Sequence, residues 1–136
     1  MTITQIEPFY VVDTNALIWY LTRNNHLSQN AYDLFKAAER GETRLIISAI
    51  SIAELYYSDQ KNSFFEDFTA IYQQIRSKPY FRIVPFTGDA VLKFQRDAAV
   101  PEMHDRIIVG LARRLNAPLI TADGAITKSG IVRVIW

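Results

Sequence analysis

Four acidic residues follow or open segments whose patterns indicate strands and helices. Asp13 ends the apolar run Phe9–Val12, Asp123 follows a second apolar stretch, and Glu54 and Asp105 lie near the starts of helical patterns. In open parallel sheets, ligands bind at the edge formed by the carboxyl ends of the strands. Because four neighbouring carboxylates repel one another unless a cation lies between them, this arrangement predicts a divalent metal site.

Each acid also has a plain structural explanation. Asp13 fits the N-cap of the helix that follows it, and Glu54 completes a capping box that begins at Ser51. Asp105 lies in a first helical turn, where a negative charge favours the helix dipole, and Asp123 precedes a glycine as a turn residue would. Taken singly, these structural roles are favoured. The shared location is what favours a site, provided that the strands before these acids are neighbours.

The elements that must position these acids alternate along the chain, which is typical of a parallel sheet covered on both faces. Apolar runs predict strands over 9–13, 45–48, 81–84, 119–121 and 131–135. Helical spacing and caps predict helices over 14–21, 28–40, 51–58, 62–77, 87–98 and around 107–115. We therefore predict one α/β domain over residues 1–136, with a central parallel sheet of about five strands flanked by helices.

Composition excludes several classes of protein. A hydrophobic content of 49% over 136 residues suits one sizeable core and argues against disorder. The absence of cysteine excludes disulfides and thiolate metal sites, and agrees with the cytoplasmic location that we expect. No apolar run reaches the ~18 residues of a membrane span, and we expect no signal peptide. The net charge of +1 is ordinary and by itself predicts no partner.

Two further features are given peripheral roles. His104 is adjacent to Asp105, but Mg²⁺ and Mn²⁺ prefer oxygen ligands, so we do not predict that this histidine binds metal. The segment from Lys61 to Lys78 reads as an extra helical arm between the second and third strands, and its aromatic side chains are predicted to pack in the core or at an interface.

Five stretches of the sequence carry a resemblance to a known family. They are Asp13-Thr14-Asn15-Ala16-Leu17, Ser48-x-x-Ser51-x-x-Glu54-Leu55, His104-Asp105-Arg106-Ile107-Ile108, Ala117-Pro118-Leu119-Ile120-Thr121-Ala122-Asp123 and Gly130-Ile131-Val132-Arg133-Val134-Ile135-Trp136. In this order they resemble the PIN-domain nucleases, and specifically the VapC-type toxins of toxin–antitoxin pairs. The resemblance runs from Val11 to Trp136, which is almost the whole chain.

This resemblance implies a metal-dependent endoribonuclease with an acid cluster at the carboxyl edge of its sheet. The cluster would consist of Asp13, Glu54, Asp105 and Asp123, supported by Thr14, Asn15 and Thr121. Asp13 and Asp105 would ligate one or two Mg²⁺ or Mn²⁺ ions, and Asp123 would hold a second ion or its water shell. Glu54 would ligate or act as a base through water. The resemblance further implies an RNA substrate, a homodimer and a cognate antitoxin that blocks the cleft.

Three alternatives remain open. A phosphorylatable receiver domain shares the parallel sheet, but it needs a second acid beside Asp13 and a lysine after the last strand. A phosphatase with a strand-one carboxylate nucleophile typically has Asp-x-Asp, whereas position 15 is asparagine. A PIN-like module that binds RNA without cutting it is the third alternative, and the intact set of four acids argues against it.

Overall fold

Five parallel strands form one sheet in the computed structural model, which describes residues 6–136. The strands are β1 (Phe9–Val12), β2 (Arg44–Ser48), β3 (Phe81–Val84), β4 (Leu119–Ile120) and β5 (Val134–Ile135). They lie in the order β3-β2-β1-β4-β5, and every neighbouring pair runs parallel. The predicted α/β fold is therefore confirmed, and β1 lies between β2 and β4.

The central strand is buried on both faces. Tyr10, Val11 and Val12 are each at most 1% exposed. Since side chains alternate along a strand, Tyr10 and Val12 pack into one core with Phe35, whereas Val11 packs into a second core with Ile108. Polar chemistry is consequently excluded from the faces of the sheet at this strand and is left to the strand ends.

Seven α-helices and a short 3₁₀ helix connect the strands within residues 6–136. They are α1 (Thr14–Leu21), α2 (Gln29–Glu39), α3 (Ala49–Asn62), α4 (Phe68–Ser77), α5 (Gly88–Val91), the 3₁₀ helix (Phe94–Asp97), α6 (Met103–Leu115) and α7 (Gly124–Ser129). Ser28 caps α2 as predicted, since its hydroxyl accepts a hydrogen bond from the backbone of Ala31. Within the described residues, none of these helices has the length and apolar character needed to cross a membrane.

The helical arm after β2 is divided differently from the prediction. A single helix over 62–77 is wrong, because α3 continues to Asn62 and α4 begins only at Phe68. Ser63 adopts a left-handed conformation with φ of 53° and ends α3. The carboxylate of Asp59 accepts a hydrogen bond of 2.8 Å from the backbone of Phe65, which stabilises the turn between the two helices.

The predicted helix over 87–98 is also wrong, because α5 and the 3₁₀ helix, each of four residues, replace it. Asp97 is 1% exposed and receives two hydrogen bonds from the Arg113 guanidinium on α6, at 2.7 and 3.0 Å. Gly110 permits this close approach, since a Cβ there would lie 3.0 Å from the Asp97 carboxylate. The ion pair with α6 thus holds this segment in a path that is not one regular helix.

Candidate active site at the carboxyl edge of the sheet

Four acids lie on elements that meet at the carboxyl ends of β1, β2 and β4. Asp13 directly follows β1, and Asp123 comes three residues after the end of β4. Glu54 lies in α3, which begins directly after β2, and Asp105 lies in the first turn of α6. Because β1 lies between β2 and β4, the condition for convergence holds.

Asp13 is buried and points toward the end of β4. Its residue is 7% exposed, and one carboxylate oxygen accepts a hydrogen bond of 2.5 Å from the hydroxyl of Thr121. Burial raises the pKa of Asp13, the Thr121 hydrogen bond lowers it, and repulsion from Glu54 and Asp123 adds to the rise. Asp13 occupies the N-cap position of α1 but makes no side-chain capping bond, so its carboxylate is turned to other groups.

Thr121 links two of the acids through one hydroxyl. Its side chain is fully buried, donates to Asp13 and accepts a hydrogen bond of 3.0 Å from the backbone of Asp123. The Asp123 carboxylate in turn accepts 2.8 Å from the backbone of Ile126 and caps α7, a helix that the sequence analysis did not predict. Asp123 therefore has a structural role as well as a position beside Asp13.

Glu54 is held by the neighbouring helix α1. The predicted capping box is wrong, because α3 begins at Ala49 and Ser48 caps it by accepting a hydrogen bond from the backbone of Ile50. Glu54 Oε1 instead lies 2.6 Å from the hydroxyl of Thr14. This contact frees Glu54 from a capping role and joins α3 to the residue beside Asp13.

Asp105 is partly buried and lies close enough to the other acids to be repelled by them. Partial burial, followed by repulsion from Asp13 and Asp123, raises the pKa of its carboxyl to about 6. The carboxylate accepts no hydrogen bond from any residue in 6–136, although the backbone of Asp105 donates to the α6 cap, Glu102, at 2.8 Å. Glu102 thus caps the start of α6 by accepting a backbone hydrogen bond, and the Asp105 carboxylate is not needed as a cap.

A comparison with protein families assigns this chain to a family. The model of the PIN domain matches residues 10–130, which includes all four acids. This chain belongs to the PIN-domain family. Among curated proteins, no sequence matches it.

Solved structures confirm the PIN fold at low sequence identity. A chain of VapBC2 from Rickettsia felis, bound to a DNA fragment from its promoter, is 19% identical at a TM-score of 0.68, covering 93% of this PIN domain and 97% of that chain. A chain of FitAcB from Neisseria gonorrhoeae is 17% identical at a TM-score of 0.67, covering 93% of this chain and 96% of that chain. A chain of DNA-bound VapBC from Salmonella typhimurium is 18% identical at a TM-score of 0.67, covering 96% of this chain and 98% of that chain.

Asn15, the third residue predicted to support the acids, lies at the margin of the candidate site, and so does His104. Asn15 is exposed at the start of α1, and its side chain makes no hydrogen bond to the acids within residues 6–136. His104 Nδ1 lies 2.6 Å from Glu102, and this hydrogen bond raises the pKa of the imidazole. Glu102 was not singled out from the sequence, although its place three residues before Asp105 is that of a helix cap.

The donor chemistry of the PIN-domain acids suits Mg²⁺ or Mn²⁺, which prefer oxygen ligands. Five carboxylates contribute to the repulsion, the four acids and Glu102, and two of them, Asp13 and Asp105, have raised pKa values. Within residues 6–136, however, no three acidic or histidine side chains are already grouped as a metal-binding cluster. The acids therefore fit a metal by type and charge, and their side chains would have to close around an ion.

A groove of about 1120 Å³ lies away from the acids of this PIN domain. Its walls come from α1, α2, α4 and the start of β3, and include Trp19, Tyr32 and Tyr80. None of the four acids lines it.

Proposed function

We propose that this PIN domain is a metal-dependent endoribonuclease that hydrolyses RNA phosphodiester bonds with Mg²⁺ or Mn²⁺. The observation that carries the proposal is the convergence of four acids at the carboxyl ends of β1, β2 and β4, where burial and the neighbouring acids raise the pKa of Asp105 to about 6. Keeping such carboxylates together in the absence of a cation costs stability, and the cost is relieved when a divalent ion binds.

Each residue of the acid cluster has a separate proposed role. Asp13 and Asp105 are the proposed direct ligands, and Asp123 holds a second ion or its water shell. When bound, the metal supplies an activated water and neutralises charge on the phosphate. Thr121 keeps the Asp13 carboxylate in one orientation through its 2.5 Å hydrogen bond. Glu54 is proposed to ligate or to take a proton from water.

The nuclease proposal is tested with labelled RNA that contains single-stranded and loop regions. We expect cleavage with Mg²⁺ or Mn²⁺, no cleavage after dialysis against EDTA, and recovery when Mn²⁺ is added back. The Asp105→Asn protein, purified in parallel, controls for a contaminating ribonuclease. Cleavage that survives exhaustive chelation would contradict the metal mechanism.

A second candidate is a PIN-like module that binds RNA without cutting it. The observation in its favour is that no metal-binding cluster of three side chains is assembled among residues 6–136. In the same assay, this candidate predicts an RNA gel shift without any product at every metal concentration.

We further propose that the chain is the toxin of a toxin–antitoxin pair and acts as a homodimer. Support for an antitoxin comes from the fold shared with chains of VapBC and FitAcB, although the identities are below 20%. Support for a second copy comes from apolar side chains around α5, where Leu92 is 79% and Val91 46% exposed. Light scattering of the wild type and of Leu92→Asp measures whether this surface holds a dimer.

A further inference from the structure

We infer that Ser51 is a positioning residue, which orients Glu54 for metal binding by a chain of hydrogen bonds through Thr14. This inference rests on the proposed metal-dependent function. It assigns a role to Ser51, which does not cap α3.

The direction of the hydrogen bonds follows from the number of protons. Thr14 Oγ1 lies 2.9 Å from the Ser51 hydroxyl and 2.6 Å from Glu54 Oε1. Thr14 has a single hydroxyl proton, and an ionised carboxylate accepts hydrogen bonds only. Thr14 therefore donates to Glu54, and Ser51 donates to Thr14.

Burial makes this chain of hydrogen bonds rigid. Ser51 is 0% and Thr14 6% exposed, so water does not replace either hydroxyl as a partner at low cost. A hydroxyl that accepts one hydrogen bond becomes a stronger donor in the next, which strengthens the contact to Glu54. Since Thr14 adjoins Asp13, the chain also relates the Glu54 carboxylate to the Asp13 carboxylate.

Ser48, the N-cap of the same helix, provides a matched control. It is 2% exposed and is the serine that caps α3, with its hydroxyl 3.3 Å from the backbone nitrogen of Ile50. Replacing Ser48 by alanine removes a cap, whereas replacing Ser51 removes the donor to Thr14. Both variants delete a serine hydroxyl at the start of α3, one at the cap and one in the first turn.

The test measures Mn²⁺ affinity by isothermal titration calorimetry in four proteins: wild type, Ser51→Ala, Glu54→Ala and the double variant. We expect Ser51→Ala to weaken Mn²⁺ binding about tenfold, the lower end of the effect of residues that orient metal ligands. In the Glu54→Ala background, Ser51→Ala should weaken it no further. Ser48→Ala should lower the melting temperature and leave Mn²⁺ affinity unchanged. An equal loss with and without Glu54 would overturn the proposal.

A metal-free measurement separates this inference from the proposed function. In crystals grown with EDTA, the Glu54 carboxylate should hold a single orientation against Thr14 in the wild type. In Ser51→Ala the Thr14 hydroxyl loses the partner that fixes it, so the Glu54 carboxylate should occupy more than one orientation. An unchanged Glu54 in that variant would overturn the inference. A wild type that binds no Mn²⁺ would instead remove the metal mechanism, while the crystal structures still decide the role of Ser51.

Thr14 offers the same test if Ser51→Ala does not fold. Thr14→Val removes the hydroxyl at nearly constant shape, and Thr14→Ser keeps it. We expect Thr14→Val to reduce Mn²⁺ affinity and Thr14→Ser to restore most of it. Equal affinities in these two variants would contradict the hydrogen-bond chain.

Discussion

At the scale of single residues, Asp105 makes the stability of the folded chain depend on pH. Its pKa is about 6 in the folded chain and about 3.9 when unfolded. Between these values the folded state binds more protons than the unfolded state, so the free energy of unfolding falls as pH rises. The destabilisation is complete above about pH 6 and is absent below about pH 4.

Asp105→Asn should therefore stabilise the metal-free protein at pH 7 and have little effect at pH 4. Because the side chain is partly exposed, we expect a gain of about 1 kcal/mol at pH 7, less than the full pKa shift would give. Thermal melts of both proteins in EDTA measure it, and added Mg²⁺ should stabilise the wild type more than the variant. A lower melting temperature for the variant at pH 7 in EDTA would assign Asp105 a purely structural role.

Catalysis should distinguish Asp105 from the histidine beside it. We expect Asp13→Asn or Asp105→Asn to reduce the cleavage rate by ~10²-fold or more, because each removes a proposed metal ligand. His104→Ala should retain much more activity, since His104 contacts Glu102 and its side chain is 38% exposed. Initial rates at saturating Mn²⁺ compare the three variants. A His104→Ala protein as inactive as Asp105→Asn would make the histidine part of the mechanism.

At the scale of elements, the Asp97–Arg113 ion pair anchors the 3₁₀ helix to α6. Asp97 is 1% exposed and the Arg113 side chain 24%. Asp97→Ala leaves the guanidinium partly buried without its partner, so we expect a loss of about 3 kcal/mol in urea unfolding. The exposed pair Arg40–Glu42 provides the control, and Glu42→Gln should cost less than about 1 kcal/mol. Equal losses in the two variants would contradict an anchoring role.

The same ion pair shows why some elements were predictable and others were not. The apolar runs of β1 to β4 and the helical spacing of α1, α2 and α6 are local signals, and they predicted both the sheet and the convergence of the acids. The break near Asp97 depends on Arg113, sixteen positions away, and on Gly110, so no local pattern indicates it. A helical spacing of apolar residues continues across such a break.

The candidate site was likewise predictable where it depends on strand ends and not where it depends on contacts between helices. The positions of Asp13 and Asp123 follow from strand ends, and Thr121 was predicted beside them. The partner of Glu54 was not predictable, because Ser51 and Glu54 have the spacing of a capping box and the true cap lies three residues earlier. Deciding between Ser48 and Ser51 needs the contact with Thr14, which lies on a different helix.

At the scale of the whole molecule, the proposed toxin role predicts an effect on living cells. We expect growth arrest when the chain is expressed alone in bacteria, and relief when its cognate antitoxin is expressed with it. Colony counts after induction measure both effects, with Asp105→Asn as the control for a burden of expression. Harmless expression of a folded protein that cleaves RNA in vitro would contradict the toxin role and leave the nuclease proposal intact.

The pairing of β1 with β4 also sets the order in which the site is completed on the ribosome. Asp13 is translated 108 positions before Thr121, the residue that orients its carboxylate. At synthesis rates of about 5–20 residues per second, the interval is roughly 5 to 20 seconds. The nascent chain gains β2 and β3 during this interval, but it contains neither Thr121 nor Asp123 before the interval ends. The proposed nuclease therefore has an incomplete set of acids until almost the whole chain has been translated.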